Sequence, residues 1–154
     1  MRKIFQRPGG FTLVELLMAT IILSVVLVGL IQLFIRCSVL TELASNITAA
    51  MSEAQGKMEE IRNYDFDSIA TDYVNGGALN PFDLTQLAGK GIIYIDSSNA
   101  DLLEVEIVIS WQNKYGRIIG EDLDLDGTLD TGEDVNGDSK LSSIATLVSQ
   151  IAER

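Results

Sequence analysis

The sequence predicts an α+β protein: a long amino-terminal helix, membrane-spanning over its first half, followed by a small antiparallel β-sheet head. Three observations carry that prediction. An uncharged apolar run of twenty residues extends from Leu16 to Ile35, a one-sided apolar stripe follows it to Ile61, and an alternating apolar pattern runs from Leu103 to Trp111. With 154 residues the chain holds one domain's worth of material. Twenty-two acidic residues against eleven basic ones give a net charge of −11. Binding nucleic acid by phosphate neutralisation needs the opposite sign, so no nucleic-acid partner is expected. Histidine is absent and Cys37 is the only cysteine, which removes the commonest metal-ligand side chain, the usual neutral-pH base and any intramolecular disulfide. No pair of nucleophile and base can be assembled, and an enzyme is not expected.

The apolar run is long enough at about 1.5 Å per residue to cross a hydrocarbon core of about 30 Å. A secretory signal peptide would have a shorter apolar region and a small-residue cleavage site after it, whereas this run ends in Arg36-Cys37-Ser38. Arg2, Lys3 and Arg7 precede it and no acid accompanies them; everything after Gly10 holds eight basic and twenty-two acidic residues, a net charge of −14. The positive-inside rule then places the amino terminus of a single-pass protein in the cytoplasm and the rest outside. Two details depart from an ordinary anchor. Pro8-Gly9-Gly10 is a flexible stretch that a protease can bind extended, and Glu15 interrupts otherwise apolar sequence. An ionised side chain within a membrane segment costs about 2.5 to 3.5 kcal/mol or more unless it is partnered, so Glu15 is a functional candidate.

Gly10-Phe11-Thr12-Leu13-Val14-Glu15-Leu16-Leu17 resembles the prepilin leader and cleavage motif of type IV pilins and type II secretion pseudopilins. The resemblance implies that residues 1–10 are a leader, removed between Gly10 and Phe11 by a prepilin peptidase and methyltransferase. It implies that Phe11 becomes the N-methylated first residue and that Glu15 pairs with the amino terminus of a neighbouring subunit during assembly. The chain would wait in inner-membrane lipid and then enter a pilus or pseudopilus fibre with other pilin or pseudopilin subunits. An amine and a carboxylate desolvated together are far better off than either alone, which agrees with that pairing. Many pilins have a proline partway along this helix; here Gly29 is the only helix-weakening residue in the apolar run.

Beyond Arg36 the positions Leu40, Leu43, Ile47, Met51, Ala54, Met58 and Ile61 recur with gaps of 3, 4, 4, 3, 4 and 3, the spacing of one helix face. One helix from Thr12 to Arg62 is therefore expected, within a segment 11–62 whose transmembrane part is 11–35. Cys37, at the membrane exit, reads as a small packing residue. Residues 63–154 form the head. From Tyr64 the texture turns to loops, with Asn75-Gly76-Gly77, Asn80-Pro81 and Gly89-Lys90-Gly91 as punctuation. Ile92 to Ile95 is a short apolar run, and Leu103, Val105, Ile107, Ile109 and Trp111 alternate with Glu104, Glu106, Val108 and Ser110. One face is thus apolar and the other at least half polar, with Trp111 in the core. Asn113 to Gly116 is turn chemistry and Arg117 to Ile119 begins a return strand. Ile144, Leu147, Val148 and Ile151 fit strand or helix on periodicity alone; the pilin resemblance implies a meander packed on the carboxyl half of the long helix, and hence a strand over 143–150.

Residues 121–138 hold eight acids and no basic residue. Within them Asp122-x-Asp124-x-Asp126-Gly127-x5-Glu133 satisfies the calcium-loop pattern, with Leu129 at the apolar position and Asp130 at the ninth. Alternate carboxylates curve round one centre, the glycine permits the sharp turn, and the glutamate closes the shell with two oxygens. Asp134, Asn136 and Asp138 repeat the beginning of the pattern and resemble the half-loops of dockerins and thrombospondin type 3 repeats. Ser139 stands where glycine is usual and Ala145 where the closing acid would be, so a second ion would have to borrow Asp130 or Glu133. Calcium is the expected ion, since a dense all-protein oxygen cage suits it better than magnesium. Without the loop, Arg117 to Ile119 would run into Ser143 to Val148, so the loop reads as an insertion clamped by metal.

The leading expectation is a structural subunit, a minor pilin or pseudopilin whose head is stabilised by calcium. The rank rests on a likeness of Met58 to Phe66 and of Ile109-Ser110-Trp111 to minor subunits that cap or prime fibres. The alternatives are a pilin-mounted binding or adhesion module, and a plain single-pass membrane protein with a calcium-binding ectodomain.

Overall fold

The computed structural model describes residues 9–99 and 101–153; Arg2, Lys3, Arg7 and Pro8, expected to belong to a leader, lie outside them. The architecture is α+β and pilin-like. A long helix α1 (Leu13–Arg62) is followed by a short α2 (Phe66–Asp72) and five strands, β1 (Phe82–Asp83), β2 (Gly89–Asn99), β3 (Leu102–Gln112), β4 (Ile118–Ile119) and β5 (Ala145–Ala152). The chain divides into two compact units, one ending at Glu42 and one beginning at Leu43. The division falls inside α1, so the carboxyl part of that helix belongs with the head.

In the first unit α1 exposes nearly all its side chains: Leu16, Ile22, Val25, Leu30 and Phe34 are all more than half exposed. Thr12 caps the helix, its Oγ1 accepting from the Glu15 N–H at 3.2 Å.

The second unit is a single antiparallel sheet with α1 and α2 on one face. β1 pairs β2, β2 pairs β3, and both β4 and β5 lie along the other side of β3. Trp111 faces Ile119 and Ile109 faces Ala145, so β4 and β5 are successive parts of one return path interrupted by residues 120–144. That is the collinear arrangement anticipated from the sequence. Strand alternation puts Ile93, Leu103, Val105, Ile107, Ile109, Trp111 and Ala145 on the helix side, where they form the core with Ala50, Ala54, Met58, Ile61, Ile69 and Tyr73. The alanines on α1 leave room for the isoleucines of the sheet, each of which contributes about 1.5 to 3 kcal/mol by leaving water. The stripe takes part from Leu43 onward, while Leu40 stays exposed.

Four features depart from the sequence expectation. α2 stands where loops were expected. β2 is longer than Ile92 to Ile95, and β5 runs two residues past the expected end. Val108 and Ser110, on the face expected to be half polar, are fully buried together with Ile92. Residues 120–143 cover that face: Leu141 is buried and its N–H donates to the Tyr94 hydroxyl at 2.7 Å, while Lys140 bridges to Glu106 at 2.8 Å.

The connection before the sheet is set by Asn80, buried and fully engaged. Its Nδ2 donates to the carbonyls of Tyr73 and Ile93, and its Oδ1 accepts from the Ile93 N–H. Phe82 covers Gly91, its direct cross-strand partner, where any Cβ would overlap the ring. On α1, Glu53 accepts from the N–H groups of Thr85 and Gln86 at 2.8 and 2.7 Å, tying the β1–β2 loop to the helix.

Candidate functional site

Two places carry chemistry, and each is built by local sequence. At the amino end Gly9, Gly10, Phe11 and Thr12 precede α1 without regular structure and are exposed, Phe11 by 84%. The Gly10–Phe11 peptide bond, where cleavage is expected, is therefore exposed and outside the helix. Glu15 lies in the first helical turn, where the unsatisfied N–H groups favour negative charge. Thr12-x-x-Glu15 is also a capping-box pattern, a signal in the sequence for the exact start of the helix that the apolar run alone does not give. Only its first half is made: Thr12 Oγ1 takes the Glu15 N–H, while the Glu15 carboxylate has no partner among the described residues.

The second place is the acidic excursion between β4 and β5. Its ends are pinned together, the Glu121 N–H donating to the Ser142 carbonyl and the Ser142 N–H to Glu121 Oε2, both at 2.9 Å. Inside, Asp122, Asp124 and Asp126 bring one carboxylate oxygen each to within 4.8 Å of one another. Asp122 is fully buried. Its Oδ2 accepts from the Gly127 N–H at 3.1 Å, and its Oδ1 is enclosed without a hydrogen-bond partner among the described residues. Burial pushes the Asp122 carboxyl above the ordinary aspartate value, and the nearby Glu133 and Asp124 charges add to that, against the backbone N–H groups of Gly127 and Leu125. Asp126, exposed, is held lower by the Thr128 hydroxyl and N–H.

The turn that converges these groups needs left-handed backbone. Gly127 has φ +82° and packs against the Pro81 ring, leaving no space for a Cβ. Leu125 takes φ +59°, uncommon for a residue with a side chain. The second half-loop has the same scaffold. Asp134 Oδ2 accepts from Ser139 N as Asp122 Oδ2 does from Gly127 N, each at 3.1 Å, and Asn136 and Asp138 cap the following N–H groups as Asp124 and Asp126 do. Gly137 and Ser139, with φ +77° and +61°, occupy the places of Leu125 and Gly127.

Of the eight ligand candidates named from the sequence, three converge. Glu133 is buried beside them, but its two oxygens accept from the N–H groups of Leu123 at 2.7 Å and Asp130 at 3.0 Å, so it braces the loop. Asp130, Asp134, Asn136 and Asp138 stand outside the group. The donor set fits calcium: oxygens on opposite sides of an ion at 2.3 to 2.6 Å are about 5 Å apart, close to the spread found here. Oxygen-only donors suit a hard cation rather than zinc.

A family model described as the prokaryotic N-terminal methylation motif matches residues 6–31. The amino-terminal segment thus carries a methylation motif of the kind its sequence resembles. No curated protein and no solved structure matches the chain significantly. The pilin-type motif spans the candidate cleavage site, Glu15 and most of the exposed apolar part of α1, and it stops before the head. In α1 this protein has a helix long and apolar enough to cross a membrane.

Proposed function

We propose that this protein is a minor structural subunit that assembles through α1 into a type IV pilus or a type II secretion pseudopilus. In this reading a prepilin peptidase and methyltransferase cuts after Gly10 and methylates Phe11. The freed α1 rests in the inner membrane with the amino terminus in the cytoplasm and the head outside. Glu15 then meets the cationic amine of a neighbouring subunit. The observation that carries the reading is the methylation motif on a helix whose apolar side chains are exposed from Leu13 to Leu40. Apolar surface on that scale requires lipid or other helices around it. The head is proposed to hold calcium at Asp122, Asp124 and Asp126, and what supports this is the unpartnered, enclosed Asp122 Oδ1. An anionic oxygen buried without a donor is costly, and a cation removes that cost.

Mass spectrometry of sheared surface fibres and of membranes tests the assembly reading. A peptide beginning with N-methylated Phe11 in the fibre fraction is expected; a chain that keeps Met1 to Arg7 in every fraction refutes it.

A further inference from the structure

β5 closes the sheet on one side, and its register shows which of its peptide groups are in use. Glu153 N–H donates to the carbonyl of Asp101, the residue opposite it by the register of the ladder. Hydrogen-bonded pairs alternate in an antiparallel ladder. Leu147, Ser149 and Ile151 therefore bond to Ile107, Val105 and Leu103, while the N–H and C=O groups of Thr146, Val148, Gln150 and Ala152 point the other way. Among the described residues no strand lies beyond β5 and none of these four residues' backbone groups has a partner. Natural edges are blunted by charge, proline or bulges. β5, Ala-Thr-Leu-Val-Ser-Gln-Ile-Ala, has no charge and no proline, and its pairing runs unbroken from Ala145 to Ala152.

Two concavities run along this edge. One, of about 400 Å³, is lined by Met58, Glu59 and Arg62 of α1 with Leu147 and Val148. The other, of about 470 Å³, is lined by Arg62, Asp65, Phe66 and Asp67 with Ile151 and Glu153. Arg62 is common to both, bonded to Ser149 Oγ at 2.8 Å and paired with Glu59 at 2.7 Å. The edge thus faces a groove in which Met58, Phe66, Leu147 and Ile151 stand among four acids and one base.

We infer that the free edge of β5 takes an extended strand from a different polypeptide, one whose helix-facing residues, every second position along it, are apolar and basic in turn. The apolar residues lie toward Met58 and Phe66, the basic ones answer Glu59, Asp65, Asp67 and Glu153, and Thr146, Val148, Gln150 and Ala152 supply the backbone ladder. A second copy is a poor occupant, because it brings the same acidic rim and β5 has no basic residue to offer it. The inference concerns the head alone and stands apart from the pilin reading.

The test uses the full chain in detergent micelles and a synthetic eight-residue peptide, Val-Thr-Lys-Thr repeated twice, whose valines and lysines share one face. Amide hydrogen exchange at Thr146, Val148, Gln150 and Ala152 slows by about tenfold or more with saturating peptide, while Leu147, Ser149 and Ile151 do not change. Val148→Pro deletes a free-edge donor without touching the β3 ladder and weakens peptide binding by about tenfold. Methylating the peptide's own backbone nitrogens along its bonding edge abolishes the protection, which tests the ladder even if the proline variant fails to fold. Unchanged exchange at the four amides overturns the inference. So does equal binding of the same peptide with glutamate in place of lysine, and so does protection that appears without peptide as protein concentration rises, which would make a second copy the occupant.

Discussion

Asp122→Asn isolates the proposed ion from the fold around it. The asparagine carbonyl keeps an acceptor for the Gly127 N–H at 3.1 Å, while the charge on the enclosed, unpartnered oxygen disappears. The repulsion from Asp124 and Glu133 disappears with it, so the calcium-free variant is no less stable than the wild type. What it loses is the response to calcium. Extracellular calcium modules bind with Kd of about 0.1 to 1 mM. Calcium at about 10 mM then stabilises the wild type by RT ln(1 + [L]/Kd), about 1.4 to 2.7 kcal/mol. At about 4 °C per kcal/mol for a head of this size, the midpoint rises by about 6 to 11 °C. The fully buried Trp111 reports the transition by fluorescence, with ionic strength matched and magnesium as a control. A wild-type shift no larger than that of matched salt, or an unchanged shift in Asp122→Asn, refutes the reasoning.

Gly10→Leu places a bulky residue before the scissile bond, so the leader stays attached in the membrane; normal cleavage, read by mass spectrometry, refutes the site. Glu15→Leu is inserted and cleaved but enters fibres poorly, and wild-type amounts in immunoblots of sheared fibres would show the charge to be dispensable. Gly127→Ala sets a Cβ against Pro81 at φ +82° and costs more than about 1 kcal/mol, seen as a fall in the thermal midpoint with or without calcium. Glu60 is held below the ordinary glutamate value of 4.5 by Lys57 at 2.8 Å and by the Tyr73 hydroxyl at 2.9 Å. A depressed native pKa contributes stability above that value and loses it as pH falls through the native one. Glu60→Gln is therefore less stable near neutrality, with a flatter loss of stability below about pH 4.5 in acid-unfolding curves.

Local spacing made the long helix, β3 and the turn that gathers three carboxylates readable from sequence, because a helix face, a pleat and an Asp-x-Asp-x-Asp turn all repeat over a few residues. The Asp122, Asp124 and Asp126 cluster follows from spacing alone, and the structure brings those three together. Spacing also suggested Glu133 as a closing ligand; in the structure two backbone N–H groups occupy its oxygens. The burial of Val108 and Ser110 was illegible for a different reason. It depends on Leu141 and Lys140 reaching Tyr94 and Glu106, contacts set by the tertiary path of the loop. α2 escaped because seven residues with Phe66 and Ile69 as their main apolar contacts are too few to establish a period, and Asp65 at its start makes no side-chain cap. The uncapped edge of β5 is likewise a property of topology, since its eight residues read the same whether a further strand flanks them or not.

The paired hydrogen bonds between Glu121 and Ser142 have an evolutionary consequence. They hold the two ends of the excursion together at a point where the flanking strands are already registered on β3. The entropic cost of closing a loop grows only logarithmically with its length, about 0.6 kcal/mol per doubling. Related chains can therefore lengthen, shorten or replace the segment between those residues at little thermodynamic penalty, provided Ile92 and Val108 stay covered. The head is open to diversification there, while the β3 ladder beneath it tolerates no change of register.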